Sequence, residues 1–391
     1  MTYRKFKADL LFTGTDLLKN SVLITDTTGK IASIVSVEDA GEDVEISEGI
    51  LSPGFINAHC HLELSHLKNK IPERTGLIDF VYKVVTERHF PEETILEAMK
   101  IAQDEMIQKG IVAVGDICNN VISALIKHNQ EIQYYNFIEA SGWNPQVASE
   151  RFERSRIIYE KYFEKEKYAS IVPHAPYSVS EDLWEKITPF FSGRIVTIHN
   201  QETIYEDEFF LKGKGELAKM YEMMKIDNAF YKPPGTGSVP SYFNKLLSAS
   251  SVIMVHNTFI KQDDIDFINT TKSSDQLVSF CLCPNANMYI ENTLPPVDLL
   301  LHNNVNIILG TDSLASNHQL SIMEEIKTIS KNFPSIKIET LLSWATLNGA
   351  TALQMNNMLG SFEPGKKPGI VLIENVEEGV INVSSTARRL L

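Results

Sequence analysis

The chain has 391 residues, 43 % of them hydrophobic and 22 % charged, a soluble globular balance that excludes whole-chain disorder. Lysine plus arginine number 36 against 50 aspartates and glutamates, a net charge of −14, which repels phosphate backbones and argues against a general nucleic-acid binder. No uncharged apolar stretch reaches membrane-spanning length, the start MTYRKFKADLLFTG lacks a signal-peptide run, and four cysteines are too few for a disulfide scaffold, so the expectation is a cytoplasmic protein without membrane contact.

Residues 1–50 read as strands with a turn, VLITD (22–26) and KIASIVSV (30–37) around Thr28-Gly29. Eight short β-branched or apolar runs follow: GFINAHCH (54–61), IVAVGDI (111–117), IQYYNFIEA (132–140), ASIVPHAP (169–176), RIVTIHNQE (194–202), SVIMVHNT (251–258), LVSFCLCPN (277–285) and VNIILGTDS (305–313). Most lead into helical patterns. Pro91-Glu92-Glu93 opens one, with Ile95, Met99, Ala102 and Met106 on its inner face until Gly110 stops it. Ser180-Glu181-Asp182 opens another before Leu183 and Ile187. Near-continuous apolar runs alternating with helices predict a parallel sheet, and eight is the number that closes a (β/α)8 barrel. The tail, GIVLIEN (369–375) and VINV (380–383), repeats the strand character of the start. Neither piece builds a core alone, so the two are expected to pair into one small β-domain. The expected division is 1–52, 53–357 for the barrel, and 358–391.

Residues 223–240 are the most loop-like stretch. Gly235-Thr236-Gly237-Ser238 lacks the Gly-Lys-Ser/Thr ending of a phosphate loop. The segment follows the fifth run and is expected to lie over the pocket as a lid or wall. Cys281 and Cys283 sit two apart in an apolar run, too close for a zinc-finger pair, and read as core residues.

Of ten histidines, His59, His61, His174, His199 and His256 fall at the C-terminal ends of predicted strands. Asp312 ends the eighth run. In a barrel those ends converge on the rim where active sites are built. His66, His89, His128, His302 and His318 read as ordinary surface or satisfied histidines. His59-Cys60-His61 places two imidazoles on one strand face, since side chains alternate with period two. With His199 and Asp312 this makes a three-nitrogen, one-oxygen set, suited to one divalent ion: zinc first, with iron or manganese as alternatives. Such an ion lowers the pKa of bound water toward 7 and makes hydroxide available. Glu202 could carry the leaving-group proton; its plainer reading is a solvated loop acid beside Glu206, Asp207 and Glu208. His256 could steady the water or the developing oxyanion, or be a core histidine.

The motifs Pro53 to His61, His174-Ala175-Pro176-Tyr177-Ser178-Val179-Ser180, His199 to Glu202, His256-Asn257, Cys283-Pro284-Asn285, Gly310-Thr311-Asp312-Ser313 and Gly360 to Lys367 together resemble the amidohydrolase superfamily. The likeness is closest to its aminohydrolase and chlorohydrolase branch, with the guanine, cytosine, S-adenosylhomocysteine and aminodeoxyfutalosine deaminases. It implies a distorted (β/α)8 TIM barrel with a small β-sandwich built from both termini. It implies His59, His61, His199 and Asp312 as ligands, Asp312 also as base, Glu202 as proton shuttle and His256 as stabiliser of the nucleophile. It implies substrate contacts from His174 and from the segment His61-Leu62-Glu63-Leu64-Ser65, hence Glu63. The fourth run ends Val172-Pro173-His174 without a lysine, which excludes carbamylated-lysine binuclear members. Gln201 stands where the family often has alanine. The expected activity is a deaminase acting on an amidine-type carbon of a purine-like base or nucleoside through metal-bound hydroxide, with ammonia released. The alternatives are another leaving group (a chlorohydrolase or cyclic amidase) and an inactive ligand-binding barrel. The expected partner is a small heterocyclic substrate, with a homodimer left open.

Overall fold

A computed structural model describes residues 2–127, 131–166, 168–377 and 379–391, so His128 lies outside the described residues. All eight predicted runs form strands: β1 (Phe55–Cys60), β2 (Ile111–Cys118), β3 (Gln133–Ala140), β4 (Ala169–Pro173), β5 (Ile195–Asn200), β6 (Ser251–His256), β7 (Leu277–Leu282) and β8 (Asn306–Leu309). Their residues are buried almost without interruption, because helices cover one face and neighbouring strands' side chains fill the other. That is why they read as apolar runs rather than alternating ones.

The eight strands are parallel and form two four-stranded sheets, β4-β3-β2-β1 and β5-β6-β7-β8. Among the described residues no continuous ladder runs from β4 to β5 or from β8 to β1. At the first seam the His199 N–H donates to the His174 carbonyl at 2.9 Å. At the second, the Thr311 N–H donates to the His59 carbonyl at 3.0 Å and the His61 N–H to the Asp312 carbonyl at 3.3 Å, beside an isolated Cys60–Asp312 bridge. Gly310 makes the close approach feasible: a Cβ there would sit 2.9 Å from the His59 Cβ. The closed ring expected from eight runs is thus, in hydrogen-bonding terms, two half-sheets joined at their C-terminal ends. One apolar core, with residues from both half-sheets, runs through them.

The helix expected after Pro91 spans Glu92–Gln108, buries Met99, Ala102 and Met106, and stops before Gly110 at φ +87°. The helix Glu181–Ile187 is capped by the Ser180 hydroxyl, which accepts the Leu183 N–H at 3.3 Å. Between β2 and β3 the described residues hold only the short turn Ile122–Leu125.

The termini form two further sheets. One is wholly N-terminal, with Ser21–Asp26 paired antiparallel to Ile31–Ser36. The other joins both ends of the chain: Ile370–Glu374 pairs antiparallel with Ile50–Pro53 and with Thr386–Arg389. Phe6 and Leu23 from the first sheet share an apolar cluster with Leu51, Ile370 and Leu372 from the second. VINV (380–383) is not a strand. Gly379 turns the chain at φ +81°, Asn382 Oδ1 accepts the Ser384 N–H at 2.8 Å, and Val380 and Val383 are exposed. Turn chemistry there outweighs β-branched composition, and the last strand falls on Thr386–Arg389 instead.

The cysteines are free and buried. Among the described residues no helix is long and apolar enough to cross a membrane.

Candidate active site

The C-terminal ends of β1, β5, β6 and β8 bring their polar residues to one place. His59 and His61 leave β1, His199 leaves β5, and Asp312 follows β8; their ligand-type atoms all lie within 4.8 Å of one another, and all four residues are buried. Asp312 Oδ1 is 3.5 Å from His59 Nε2 and 3.4 Å from His61 Nε2. His61 Nε2 and His199 Nε2 are 3.2 Å apart. The His199 Nδ1–H donates to the His174 carbonyl at 2.7 Å, which leaves the Nε2 lone pair facing the group. Both ring nitrogens of His59 are buried without a hydrogen-bond partner. Lone pairs crowded this closely, with an orphaned imidazole among them, fit a bound cation.

The electrostatics agree. Burial holds the imidazoles neutral: His59 titrates below its ordinary value, His199 well below, and His61 at about 4. Neutral imidazole is the ligating form. Burial opposes ionisation of Asp312, yet the neighbouring His59 and His61 rings keep its carboxyl well below the usual carboxylate range. The Ser316 hydroxyl donates to Asp312 Oδ2, on the carboxylate oxygen away from the rings. The Asn57 amide fixes the preceding residue, donating to Thr311 Oγ1 at 2.7 Å and accepting the Thr311 N–H at 3.0 Å.

Glu202 is 6 % exposed, not a solvated loop acid. Burial, then the charge on Asp312, pushes its carboxyl well above the ordinary range. His256 Nε2 lies 3.4 Å from Glu202 Oε1 without hydrogen-bond alignment, and both its ring nitrogens are unpartnered; burial lowers its pKa to about 4. Gln201, His256, Asn257 and Asp312 all have positive φ, between +47° and +73°. Non-glycine residues rarely adopt that conformation, and its concentration at the ends of three strands marks backbone strain held by the surrounding structure.

His174 ends β4 with its ring 24 % exposed and its Nδ1 2.8 Å from Glu139 Oε2. Burial works against its charge, but Glu139 outweighs burial and raises its pKa, while His174 draws Glu139 down to about 2 against its own burial. Glu63 turns its carboxylate onto backbone, accepting the N–H of Asn119 at 3.0 Å and of Asn120 at 3.1 Å. It therefore anchors the turn after β2. Asp116 returns the favour by accepting the Leu62 N–H at 2.9 Å.

Among the histidines read as ordinary, His66 is buried with Nε2 on the Arg88 carbonyl at 3.1 Å. His89, His302 and His318 are exposed.

Residues 50–386 match the amidohydrolase family. The chain belongs to it. A 5-methylthioadenosine/S-adenosylhomocysteine deaminase from Thermoanaerobacter pseudethanolicus is 27 % identical over 352 residues, which cover 85 % of this chain and 74 % of that protein. The crystal structure of Helicobacter pylori aminofutalosine deaminase in complex with methylthio-coformycin has the same fold, with a TM-score of 0.79 at 20 % identity over 96 % of this chain and 93 % of that one. An adenosine deaminase from Xanthomonas campestris, solved with bound zinc, has a TM-score of 0.70 at 20 % identity over 95 % and 84 %.

Three residues of this amidohydrolase were missed in the sequence. Glu139 is the last residue but one of the third run, so the strand-end rule that picked the histidines would have found it. Ser316, four residues past Asp312, carries no such signal. Glu206 looked like one acid in an Glu-Asp-Glu run, yet it is fully buried and its carboxylate accepts the Glu202 N–H at 2.9 Å.

Proposed function

We propose that this amidohydrolase is a metal-dependent aminohydrolase. It replaces an exocyclic amino group on an amidine-type carbon of a purine-like base or nucleoside with oxygen from water, and releases ammonia. The observation that carries this reading is the convergence of His59, His61, His199 and Asp312 beside the buried Glu202, whose carboxyl burial holds well above the ordinary range. A divalent ion held by those four residues would supply a water acidic enough to react at neutral pH.

The protein's own groups do the rest. Asp312 accepts a proton from the attacking water, with its other oxygen held by Ser316. Glu202, whose carboxyl burial holds well above the ordinary range, donates its proton to the ring nitrogen. Left as a carboxylate, it relays the proton taken up by Asp312 to the departing amine and is reprotonated from the adduct's hydroxyl as the carbonyl forms. His256, neutral, donates a hydrogen bond to the water or the developing oxyanion. His174, oriented by Glu139, presents its remaining nitrogen to the substrate. Glu63 shapes the pocket through the turn at Asn119 and Asn120. The deaminase relative at 27 % identity supports the reaction class.

Zinc suits three imidazoles and a carboxylate, with iron or manganese as alternatives. The reading includes one distorted (β/α)8 barrel at 53–357, with 1–52 and 358–391 forming a β-sandwich. It includes a cytoplasmic location, which four free cysteines support, and leaves room for a homodimer. The test is ammonia release from metal-analysed protein across purines, nucleosides and pterins. Chloride release from halogenated heterocycles, with no ammonia from any amino substrate, would overturn it.

A further inference from the structure

The turn that carries Glu202 is gripped from outside the site. Glu206 lies in the first turn of the helix Tyr205–Lys212 and has no exposed surface. One of its oxygens accepts the Glu202 backbone N–H at 2.9 Å; the other accepts the Ser238 hydroxyl at 2.9 Å. Ser238 opens the short helix Ser238–Tyr242, where the irregular segment 224–237 re-enters the fold. Next to Glu206, Asp207 Oδ1 accepts the Ser238 N–H at 2.9 Å and the Gln201 side-chain amide at 3.2 Å. Two adjacent carboxylates therefore hold both donors of Ser238 on one side and the Gln201-Glu202 pair on the other. Gln201 is the residue at φ +47°, so the clasp sits on the strained turn itself. The far part of the segment is anchored over the same end of the strands. Trp143 Nε1–H donates to Asn228 Oδ1 at 2.7 Å, and Tyr231 stacks on Phe209 at 4.7 Å.

We propose that Glu206 is a positioning residue whose paired bonds to Glu202 and Ser238 make the seating of segment 224–237 and the placement of the Glu202 carboxyl one event. The proposal rests on the reading of Glu202 as proton carrier. A buried carboxylate with two donors on it is expensive to remove, since each donor would be left unpaired. A shift of the turn by about 1 Å costs up to roughly 100-fold in rate.

Three variants test it. Glu206→Leu removes both acceptors at similar volume, Ser238→Ala removes only the bond to the segment, and Glu206→Gln keeps an oxygen for the Glu202 N–H. The readouts are trypsin cleavage after Lys225, which is exposed in the segment, metal content, kcat and KM. Glu206→Leu and Ser238→Ala should be cut severalfold faster than wild type. Their kcat should fall by about 10- to 100-fold in Glu206→Leu and less in Ser238→Ala, with metal content held and any rise in KM smaller than the fall in kcat. Glu206→Gln should recover most of the turnover. If Glu206→Leu does not fold, Ser238→Ala still decides the link to the segment. Wild-type cleavage rates in the variants, or a loss confined to KM, would overturn the proposal. Faster cleavage in a protein that releases ammonia from no substrate would leave the clasp standing and remove the role given to Glu202.

Discussion

Glu202 and Asp312 are both buried acids, but their surroundings push them in opposite directions. The His59 and His61 rings hold the Asp312 carboxyl well below the usual range against its burial, while burial and the Asp312 charge hold Glu202 well above it. Two carboxyls separated in this way divide into base and acid. Glu202→Gln should keep metal and substrate affinity near wild type while turnover falls about 100- to 10,000-fold; steady-state rates with metal analysis check this, and near-normal turnover would contradict it. Asp312→Asn should abolish turnover and also weaken metal retention, because it removes a ligand charge together with the base. Glu206 corrects a sequence expectation at the same scale. Among three neighbouring acids it reads as solvated, whereas in the fold it is buried between the Glu202 N–H and the Ser238 hydroxyl, with its pKa pushed up to about 7 by burial.

Among the elements, the strands were the most legible part of the sequence. Parallel strands buried on both faces leave apolar runs, and five histidines stand out at the ends of four of them. The candidate ligand set was legible in the same way, since His59, His61, His199 and Asp312 all lie at strand ends. The last strand was not legible, because VINV has strand composition but Gly379 and Asn382 turn it. The seams between β4 and β5 and between β8 and β1 were not legible either, since apolar runs record burial and not which strands exchange hydrogen bonds. Of residues 223–240, expected over the pocket, Phe230 and Tyr231 pack on Trp143 and Tyr231 also on Phe209, which follow β3 and β5 on the side of the strand ends. Replacing it with a short glycine linker should raise KM and lower turnover while metal stoichiometry stays unchanged. Unchanged kinetics would assign the segment to packing alone.

For the whole molecule, metal and protons should both act on stability through the buried histidines of the site. Removing a divalent ion with a chelator should lower Tm, because an ion bound only by the folded state stabilises it by roughly 4 kcal/mol at a thousand times its Kd. In the metal-free protein, burial holds His61 and His256 neutral down to about 4, whereas the unfolded chain protonates them near 6.5. Between those values the unfolded state binds more protons, so this stability is full above about 6.5 and is lost as pH falls toward 4. Because buried acids such as Glu202 and Glu206 titrate in the opposite sense, the check is a comparison of urea midpoints at pH 7 and pH 5 between the metal-free protein and its His256→Gln variant. The variant should lose less, or gain more, stability on going to pH 5, and an identical change in both would contradict it.

The two half-sheets meet at seams of only a few hydrogen bonds, and the four candidate ligands straddle them. His59 and His61 belong to one half, while His199 and Asp312 belong to the other. A bound ion is then a stitch between halves as much as a reagent. The amides of His61, His199, Thr311 and Asp312 are the seam's own reporters, since each donates across it. In deuterated water their protons should exchange slowly in the metal-loaded protein and far faster after chelation, while amides inside the ladders, such as those of β2 and β6, change little. An enzyme built this way would couple the loss of its reagent to the loosening of its frame, and a chain that had shed its metal would be marked for proteolysis along the line where the halves part.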